Sequence, residues 1–564
     1  MSAAPTSVAG ASAAPPAGRG WALPLAVLVV GMFMSVLDIS IVNVAVPAIQ
    51  KDFGTTTDDI QWITTAYSLA LGVVVPVSGW LGDRIGLTRT YSLSLLGFAA
   101  CSALCGIAWD LNSMIAFRIL QAVPGGILPV VTLAMLYRIV PREKIGTAMG
   151  VYGLGIVFAP AIGPTLGGYL VQYVDWRLIF FINVPIGLLG VALAMVVLPA
   201  FPTVRAGRFD VFGFVTVAAG LFALLLALSE GQDWGWTSYP VLMLIVGGLL
   251  CLALFVVIEL EVDEPLIDVR VFALWPFTNS LVLVTLLSVG LFGVLFYVPL
   301  FLQEGQGVEP LRTGLILLPE ALVMGLIMPV AGVLYDRIGP RWPAVVGLTV
   351  AAYGTYLLCG ITADVPQSDI VLWTCVRAAG NGLAMMSVMT AGLSVVPTEK
   401  VNQAGAVNNV VQRVASALGL AVLTSLITTQ QAQLMADRSG LVRAADPTSP
   451  EPLRLMGEQG VAGLYPVARR LNLEVLASTY ADAFVVTALV TAVGAGLALL
   501  LKLPPGGQGP VMHAEGGSSV PPEEQADRPA PVPPAEPVPA GAVPVLPTAA
   551  PTPERRLAPL GPEG

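Results

Sequence analysis

Gly79-Trp-Leu-Gly-Asp-Arg-Ile-Gly86 recurs later in the chain as Gly332-Val-Leu-Tyr-Asp-Arg-Ile-Gly339, so the two octapeptides share the pattern G-x-L-x-D-R-I-G. Each copy follows one long apolar segment and precedes another. A second correspondence supports the repeat, because Arg118 and Arg377 both stand early in the second apolar segment after their octapeptide. The chain is therefore predicted to contain two halves of the same orientation, separated by a pair of additional helices.

The composition is that of a protein that is solvated by lipid. Apolar residues make up 55% of the 564 residues and charged residues only 11%, with a mean hydropathy of +0.80. A soluble domain carries about 25% charged residues, and many apolar blocks here exceed the roughly 18 residues that mark a membrane span. We predict an all-α polytopic membrane protein with fourteen transmembrane helices, at 22–49, 60–81, 89–109, 112–137, 146–172, 178–200, 210–229, 239–260, 276–302, 312–335, 342–362, 370–396, 404–430 and 479–502.

Lysine and arginine are distributed unequally between the two sides of this topology. With the N-terminus inside, the short inner connections carry twelve of them, whereas the outer ones carry only Lys51, Arg177 and Arg312, apart from one long loop. Positively charged short connections remain on the cytoplasmic side. The bias therefore predicts a multi-pass protein of the cell (inner) membrane with both termini in the cytoplasm.

The domain organisation follows from the spans and from the composition of the two ends. The tail contains so many prolines and so few large apolar residues that it cannot bury enough surface to fold alone. In the outer loop 431–478, apolar residues recur at helical spacing over 461–477, as in a segment that lies against the outer surface. The predicted regions are a disordered cytoplasmic leader (1–20), an N-terminal six-helix half (21–200), two linking helices (201–270), a C-terminal six-helix half containing that loop (271–502) and a disordered proline-rich cytoplasmic tail (503–564).

Several kinds of chemistry are excluded by the residues present. The five cysteines lie in apolar segments, and Cys101 and Cys105 have no second pair or histidine beside them, so they are interpreted as buried apolar residues. The one histidine, His513, lies in the tail, so a proton relay inside the membrane must use carboxylates. There is no P-loop, H-E-x-x-H motif, cysteine cluster or folded soluble domain. We expect no enzyme activity, no metal, no cofactor and no nucleic-acid partner.

A series of motifs, in order along the chain, is similar to those of one transporter family. The motifs are Leu37–Pro47, Gly79–Arg89, Phe117–Gln121, Ala159–Gly168, Asp175–Arg177, Phe181–Pro185 and Asn408–Arg413. Together they resemble the major facilitator superfamily, specifically its fourteen-helix drug:proton antiporter branch (EmrB/QacA type), over about residues 25 to 502. The resemblance implies two six-helix halves plus two linking helices, and a proton gradient as the energy source. Parallel halves of this kind hold the substrate between them and alternate its access by rocking.

The two octapeptides are predicted to act as a conformational latch. Their glycines allow a tight turn, and the carboxylate of the first copy can then cap a neighbouring helix N-terminus, where it meets the positive end of the helix dipole. Such a contact would form in one rocking state and break in the other. The alternative is a purely topological role for the basic residues. The residues assigned to the latch are Gly79, Asp83, Arg84, Gly86, Asp336 and Arg337.

The fifth predicted span carries the motif that the resemblance associates with exchange rather than uptake. Its glycines and prolines remove side-chain bulk, and Gly163 and Gly167 form a G-x-x-x-G face that allows another helix to pack closely. Simple helix packing is the alternative interpretation. The residues assigned to this antiporter motif are Gly153, Pro160, Gly163, Pro164, Gly167 and Gly168.

Asp38 and Arg118 are predicted to form a pair that couples proton binding to movement. A charge near mid-bilayer costs roughly 2.5–3.5 kcal/mol on insertion scales, so it usually marks a pathway or an ion pair. Counted at 1.5 Å per residue along their helices, the two residues fall at similar depth. A carboxylate beside an arginine stays ionised, and separation of the two favours proton uptake. A static buried pair is the alternative.

Three further polar positions and one more carboxylate complete the predicted site. Glu320 is assigned to proton coupling or to a substrate cation, with a salt bridge between two helices as an equally strong alternative. Asn43, Asn409 and Arg413 are assigned to the substrate pathway because they belong to motifs on predicted spans.

The predicted function is proton-coupled efflux of small amphipathic or cationic drugs by alternating access. The partners are then a small amphipathic substrate, protons and the lipid bilayer, and a membrane-fusion protein is a further partner that the sequence leaves open. The runner-up is export or flipping of a lipid or cell-envelope precursor. Nutrient uptake is disfavoured by the fifth-helix motif, and a membrane enzyme or receptor is the weakest alternative.

Overall fold

The computed structural model describes residues 20–201, 209–263, 265–397, 399–443 and 465–501. All of them belong to the first of two compact units, Met1–Pro510, whereas the second unit, Val511–Gly564, lies outside the described residues. The predicted leader, except for its last residue, and the whole predicted tail likewise lie outside them.

Every regular element in the described part of the chain is helical. The α-helices are α1 (Ala22–Phe53), α2 (Thr57–Val74), α3 (Val77–Ile85), α4 (Leu87–Gly106), α5 (Leu111–Ile139), α6 (Ile145–Tyr173), α7 (Leu178–Phe181), α8 (Asn183–Val197), α9 (Val211–Trp234), α10 (Tyr239–Glu261), α11 (Trp275–Leu300), α12 (Pro310–Ile338), α13 (Arg341–Leu358), α14 (Gln367–Ser394), α15 (Val401–Arg443) and α16 (Tyr465–Ala498). Short 3₁₀ turns precede α6 and α11, and one π turn follows α11.

Ten of the described helices are long and apolar enough to cross a membrane. The number rises to eleven when α2 and α3, which meet at a bend of 58°, are taken as one broken span. Helices α4, α13 and α14 occupy three more of the predicted positions but do not meet the same test of length and apolarity. The all-helical membrane architecture is thus confirmed, and the count of fourteen spans stays a prediction.

The last glycine of each octapeptide makes the tight turn that the sequence predicts. Gly86 has φ of 94° and separates α3 from α4, and Gly339 has φ of 80° and ends α12 shortly before α13 begins. Backbone angles in this region are strained for a residue with a Cβ. Glycine at both positions therefore lets two antiparallel helices follow one another within one to three residues.

The helices form an N-terminal group, α1–α8, and a C-terminal group, α11–α16. Within the first group α1 packs on α6 and α4 on α5, and within the second α13 packs on α14 and α16. The groups meet along two seams: α6 runs along α12, and α15 contacts α3 and α5. The predicted linking helices α9 and α10 pack on each other, and α9 also contacts α2 and α15, one from each group.

The loop predicted at 431–478 is shorter than expected. Helix α15 continues to Arg443, and α16 begins at Tyr465 instead of near residue 479. The predicted loop is therefore helical over 431–443 and 465–478, and 444–464 lies outside the described residues. The difference arises because polar residues at the end of a span, such as Arg469 and Arg470, interrupt an apolar window without interrupting a helix.

Candidate functional site

Asp38 of α1 and Arg118 of α5 form an ion pair in the interior of the N-terminal group. Arg118 Nη1 lies 2.5 Å from Asp38 Oδ2, and the two side chains are 1% and 0% exposed. The contact predicted from the sequence is therefore confirmed. Removing one partner of such a buried pair is strongly destabilising because it leaves an uncompensated charge, so any movement that parts the two side chains needs a compensating change of charge.

Two amides complete the coordination of the Asp38 carboxylate. Gln121 Nε2 donates to Asp38 Oδ1 at 2.9 Å, and Asn183 Nδ2 of α8 donates to the same oxygen at 3.2 Å. Gln121 also accepts from Arg118 at 2.8 Å, and Asn183 donates to Ser102 at 3.0 Å. Three donors from α5 and α8, on Arg118, Gln121 and Asn183, thus hold the carboxylate in place.

Gln121 and Asn183 were absent from the site predicted by sequence. Gln121 lies in the motif Phe117–Gln121, and Asn183 lies in the motif Phe181–Pro185. Gln121 lies three residues after Arg118 and therefore shares its face of α5, a signal that was available. Asn183 lies on α8, and no local feature of the sequence indicates that α8 approaches α1.

Tyr67 of α2 packs on the guanidinium of this pair. The guanidinium carbon of Arg118 lies 3.8 Å from the centre of the Tyr67 ring, a cation–π contact. Tyr67 is 1% exposed, and its hydroxyl has no hydrogen-bond partner in the described structure. The ring therefore packs on the ion pair within a small apolar cluster that also contains Leu71 and Ala122.

Glu320 of α12 is ion-paired with Arg377 of α14. Arg377 stands at the place in the C-terminal group that Arg118 occupies in the N-terminal group, so each group holds one buried arginine–carboxylate pair. The side chains of Glu320 and Arg377 are 13% and 1% exposed. This geometry is that of the salt bridge between two helices that the sequence analysis left open, and a role of Glu320 in proton coupling stays a prediction.

A cavity lies between α11, α14 and α15 in the C-terminal group. Its walls combine Ser288 and three amides with aliphatic and methionine side chains, and none of them is charged. In the described state it admits about one water molecule, less than a drug-sized ligand requires. The lining residues are Val284, Leu287, Ser288, Leu291, Asn381, Met385, Met389, Asn408 and Gln412.

The structure separates the three residues predicted for the substrate pathway. Asn43 is exposed on α1, and Asn409 donates to the Gly405 carbonyl within its own helix. Arg413 is half-buried one turn beyond Asn409 on the same face of α15, and its Nε has no hydrogen-bond partner in the described structure. None of the three lines the cavity, whereas the neighbours Asn408 and Gln412 do.

The two helix groups are in contact at the end of the bundle that carries Arg84, Arg138, Arg337 and Lys400, which we call the basic end. There Asp336, at the end of α12, accepts hydrogen bonds from the amides of Gly146 at 2.8 Å and Thr147 at 2.9 Å, and from the Thr147 hydroxyl at 2.7 Å. A carboxylate at a helix N-terminus is stabilised by free amides and by the helix dipole. Asp336 therefore fastens the C-terminal group to the first turn of α6.

The first octapeptide makes a different contact at this end. Asp83 lies 3.9 Å from Arg138 of its own helix group and also interacts with the side chain of Asn402 of α15. Asn402 Nδ2 donates to the Gly79 carbonyl at 2.8 Å. The predicted cap by Asp83 is thus made by Asp336 in this state. The sequence could not distinguish them because both octapeptides carry the same carboxylate.

Helix α6 presents small residues to both neighbours. A Cβ added at Gly163 would lie 2.0 Å from Ser40 Oγ, and one at Gly167 would lie 2.8 Å from the Ile41 side chain, so the predicted G-x-x-x-G face packs tightly on α1. Gly153 instead faces Met328 of α12, and Gly168 has open space around it. The close packing predicted for this motif is confirmed at Gly163 and Gly167, while Pro160 and Pro164 lie inside the helix without ending it.

We expect Asp336→Asn to slow transport about tenfold and Asp83→Asn only severalfold. The first change replaces the charged acceptor of three bonds between the helix groups, an effect of roughly 1–2 kcal/mol at a helix N-terminus. Asp83 instead makes a long ion pair with Arg138 and one interaction with the Asn402 side chain. The measurement is the initial efflux rate of a fluorescent dye per molecule of inserted protein. Equal effects of the two substitutions, or a larger effect at Asp83, would contradict the assignment.

No group of three or more His, Cys, Asp or Glu side chains in the described ranges is placed to hold a metal ion. A model of the Major Facilitator Superfamily matches residues 28–420. The chain belongs to this superfamily. It is therefore a membrane transporter rather than an enzyme.

Two curated relatives of this superfamily member bear names of resistance proteins. The tetracenomycin C resistance and export protein of Streptomyces glaucescens is 34% identical over 77% of this chain and 81% of its own length. The multidrug resistance protein B homolog of Mycobacterium tuberculosis (strain ATCC 25618 / H37Rv) is 31% identical over 82% of this chain and 87% of its own. The proton:xylose symporter XylE shares the fold, with a TM-score of 0.53 at 13% identity over 83% of this chain and 94% of its own.

Proposed function

We propose that this transporter is a proton-driven antiporter that exports small amphipathic or cationic drugs by alternating access. The observation that carries the proposal is the fully buried ion pair of Asp38 and Arg118. A carboxylate inside the membrane is the group that can exchange a proton there, and an arginine beside it sets when the proton leaves. The relatives named for drug resistance and for export of an antibiotic support an exported drug as the substrate.

The proposed coupling step is a change of partner at Asp38. In the described state Arg118, Gln121 and Asn183 donate hydrogen bonds to the carboxylate. When the helices move so that Arg118 withdraws, the carboxylate loses its counter-charge and takes up a proton, because burial disfavours the isolated anion. Return of Arg118 expels the proton. Arg118 keeps its own proton throughout, since a guanidinium is not deprotonated in proteins.

The direction of exchange follows from the basic end. We assign this end to the cytoplasm and both chain termini with it, by the positive-inside rule. With Asp336 capping α6, the cytoplasmic end is closed, so a substrate would leave on the opposite side and protons would enter from there. Close packing of α6 against both α1 and α12 leaves little room for leakage along this seam. We further assign the chain to the fourteen-helix antiporter branch.

We expect dye efflux to stop when the proton gradient is collapsed and to continue when only ATP is depleted. The experiment uses purified protein in proteoliposomes with an imposed pH gradient, a panel of drugs and dyes, and an uncoupler. Efflux by the protein alone would also show that no membrane-fusion partner is needed for transport across one membrane. Efflux that persists under full uncoupling would refute proton coupling. Transport of a lipid-linked precursor with none of the drugs would favour the runner-up.

A further inference from the structure

We propose that the transported substrate is an amphipathic acid whose apolar body enters between α11, α14 and α15 when these helices move apart and enlarge the cavity, and whose anionic oxygen binds Arg413. The inference rests on the proposed function as an exporter and narrows its substrate class, from amphipathic or cationic compounds to acids. It is carried by the distribution of charge around the cavity and by the position of Arg413.

The cavity offers polarity without negative charge. Asn381 and Asn408 are 5% and 3% exposed, so both amides are buried within the helix group. Such groups donate and accept hydrogen bonds, and they suit the carbonyl and hydroxyl oxygens of a ligand. Met385 and Met389 supply polarisable thioethers that pack well against an aromatic body.

No carboxylate of the described residues lines this cavity. Asp38 is bonded to Arg118, Gln121 and Asn183, and Glu320 is bonded to Arg377. A permanent cation placed in low dielectric without a counter-charge is strongly disfavoured. The lining therefore selects against the cationic drugs that a free Glu320 carboxylate would have attracted.

Arg413 is the opposite case, because it is a cation without a counter-charge. The described structure shows neither an ion pair nor a hydrogen bond for its guanidinium, and its Nε is both buried and unsatisfied. A charged side chain inside a membrane is usually paired or functional. Unpaired positive charge in the interior is a site for an anion, which would supply the missing acceptor.

Arg413 lies next to the cavity and faces the seam between the helix groups. It directly follows Gln412, which lines the cavity, so the two side chains project from α15 about 100° apart. Val75, directly after α2, clusters with Ala406 of α15. At 1.5 Å per residue, Tyr67 lies about 12 Å from that contact and Arg413 about 10 Å, in the same direction.

This position lets one ligand bridge the cavity and the seam. An apolar body between Met385 and Met389 would leave an acidic substituent directed toward Arg413 and Tyr67. Arg118 packs on the ring of Tyr67, 3.8 Å from its centre. A bound anion would therefore sit at the boundary between the substrate cavity and the proton-carrying pair.

The test is equilibrium binding to the full-length protein in lipid nanodiscs, with empty nanodiscs as the blank. Three probes differ in charge: anilinonaphthalene sulfonate, phenylnaphthylamine, which has the same aromatic body without the acid, and the cation tetraphenylphosphonium. We expect the sulfonate to bind at least about tenfold more tightly than the amine, as a charge-assisted bond to arginine implies. Tetraphenylphosphonium should bind most weakly.

Variants locate the two parts of the site. Arg413→Gln should weaken sulfonate binding about tenfold and leave phenylnaphthylamine binding within about twofold, whereas Arg413→Lys should retain most of the affinity for the sulfonate. Asn408→Leu should weaken both naphthalene probes, because their shared body occupies the cavity. Thermal unfolding of each variant checks that the protein remains folded.

Two outcomes would overturn the inference. One is a wild-type protein that binds tetraphenylphosphonium as tightly as the sulfonate, and the other is an Arg413→Gln variant that loses both naphthalene probes equally or neither. Binding is measured without any gradient, so its outcome is independent of proton coupling. If efflux is proton-driven but the sulfonate is not preferred, the inference fails and the proposed function stands.

Discussion

Asp38→Asn is expected to reduce proton-driven efflux to below about one hundredth of the wild-type rate, because a side chain that transfers a proton commonly contributes a hundredfold or more. Asparagine keeps the size of the carboxylate and leaves Arg118, Gln121 and Asn183 a polar neighbour. The asparagine amide does not ionise, so it cannot take up and release a proton as a carboxylate does. The variant should therefore insert and bind substrate, yet fail to transport it against its gradient.

The measurement is uphill dye export from proteoliposomes at a series of pH values, with substrate binding determined on the same preparation. Arg118→Ala is the companion variant, and the residual export should follow a shifted pH profile because the counter-charge of Asp38 is gone. Uphill export by Asp38→Asn with an unchanged pH profile would show that another group carries the proton.

Gly332→Ala should prevent closure of the basic end and abolish most transport, although the substitution adds a single methyl group. A Cβ at Gly332 would lie 2.0 Å from the Gly146 carbonyl oxygen and 2.6 Å from its carbon. These are backbone atoms of α6, so no side-chain rotation relieves the overlap. The two helices must separate, and with them the amides of α6 that Asp336 caps.

Gly314→Ala is the matched control on the same helix. A Cβ at Gly314 meets only Pro164 of α6, at 3.9 Å, which is ordinary van der Waals contact. Alanine is also the better helix former by roughly 1 kcal/mol, so this variant should be at least as stable as the wild type and fully active. The measurements are the efflux rate and the thermal unfolding of the Gly332→Ala and Gly314→Ala variants. Equal activity of the two variants would show that transport does not require close contact at the basic end.

The sequence predicted the helical architecture and the Asp38–Arg118 contact for a physical reason. Charged residues are so unfavourable in lipid that the few inside apolar segments are easily recognised. The rise of 1.5 Å per residue along a helix then gives the depth of each charge in the membrane. The same reasoning could not reveal that Glu320 pairs with Arg377, since Arg377 lies near a segment end where charges are common. The role of Asn183 could not be predicted, because an uncharged amide in an apolar segment does not stand out as a charge does. Its partner Asp38 is also 145 residues away in the sequence.

The latch shows a different limit of sequence reasoning. Asp83 and Asp336 are equivalent in sequence, but in any one state of a rocking molecule their surroundings differ. The cap belongs to Asp336 here because α6 and α12 are in contact at the basic end, a property of the conformation. Similarly, the cavity residues Asn408 and Gln412 alternate along α15 with Asn409 and Arg413, and only the packing of α11 and α14 shows which face encloses space.

The placement of α9 has a consequence for molecules that arrive dissolved in the bilayer. Helix α9 contacts both α2 and α15 and therefore covers the seam between them, while α10 lies outside it with most of its surface exposed. Gln232 of α9 also bonds Thr428 of α15 at 3.1 Å. Acyl chains are thereby kept from one side of the transport path. A hydrophobic compound recruited laterally from the membrane therefore cannot enter between α2 and α15 unless α9 moves.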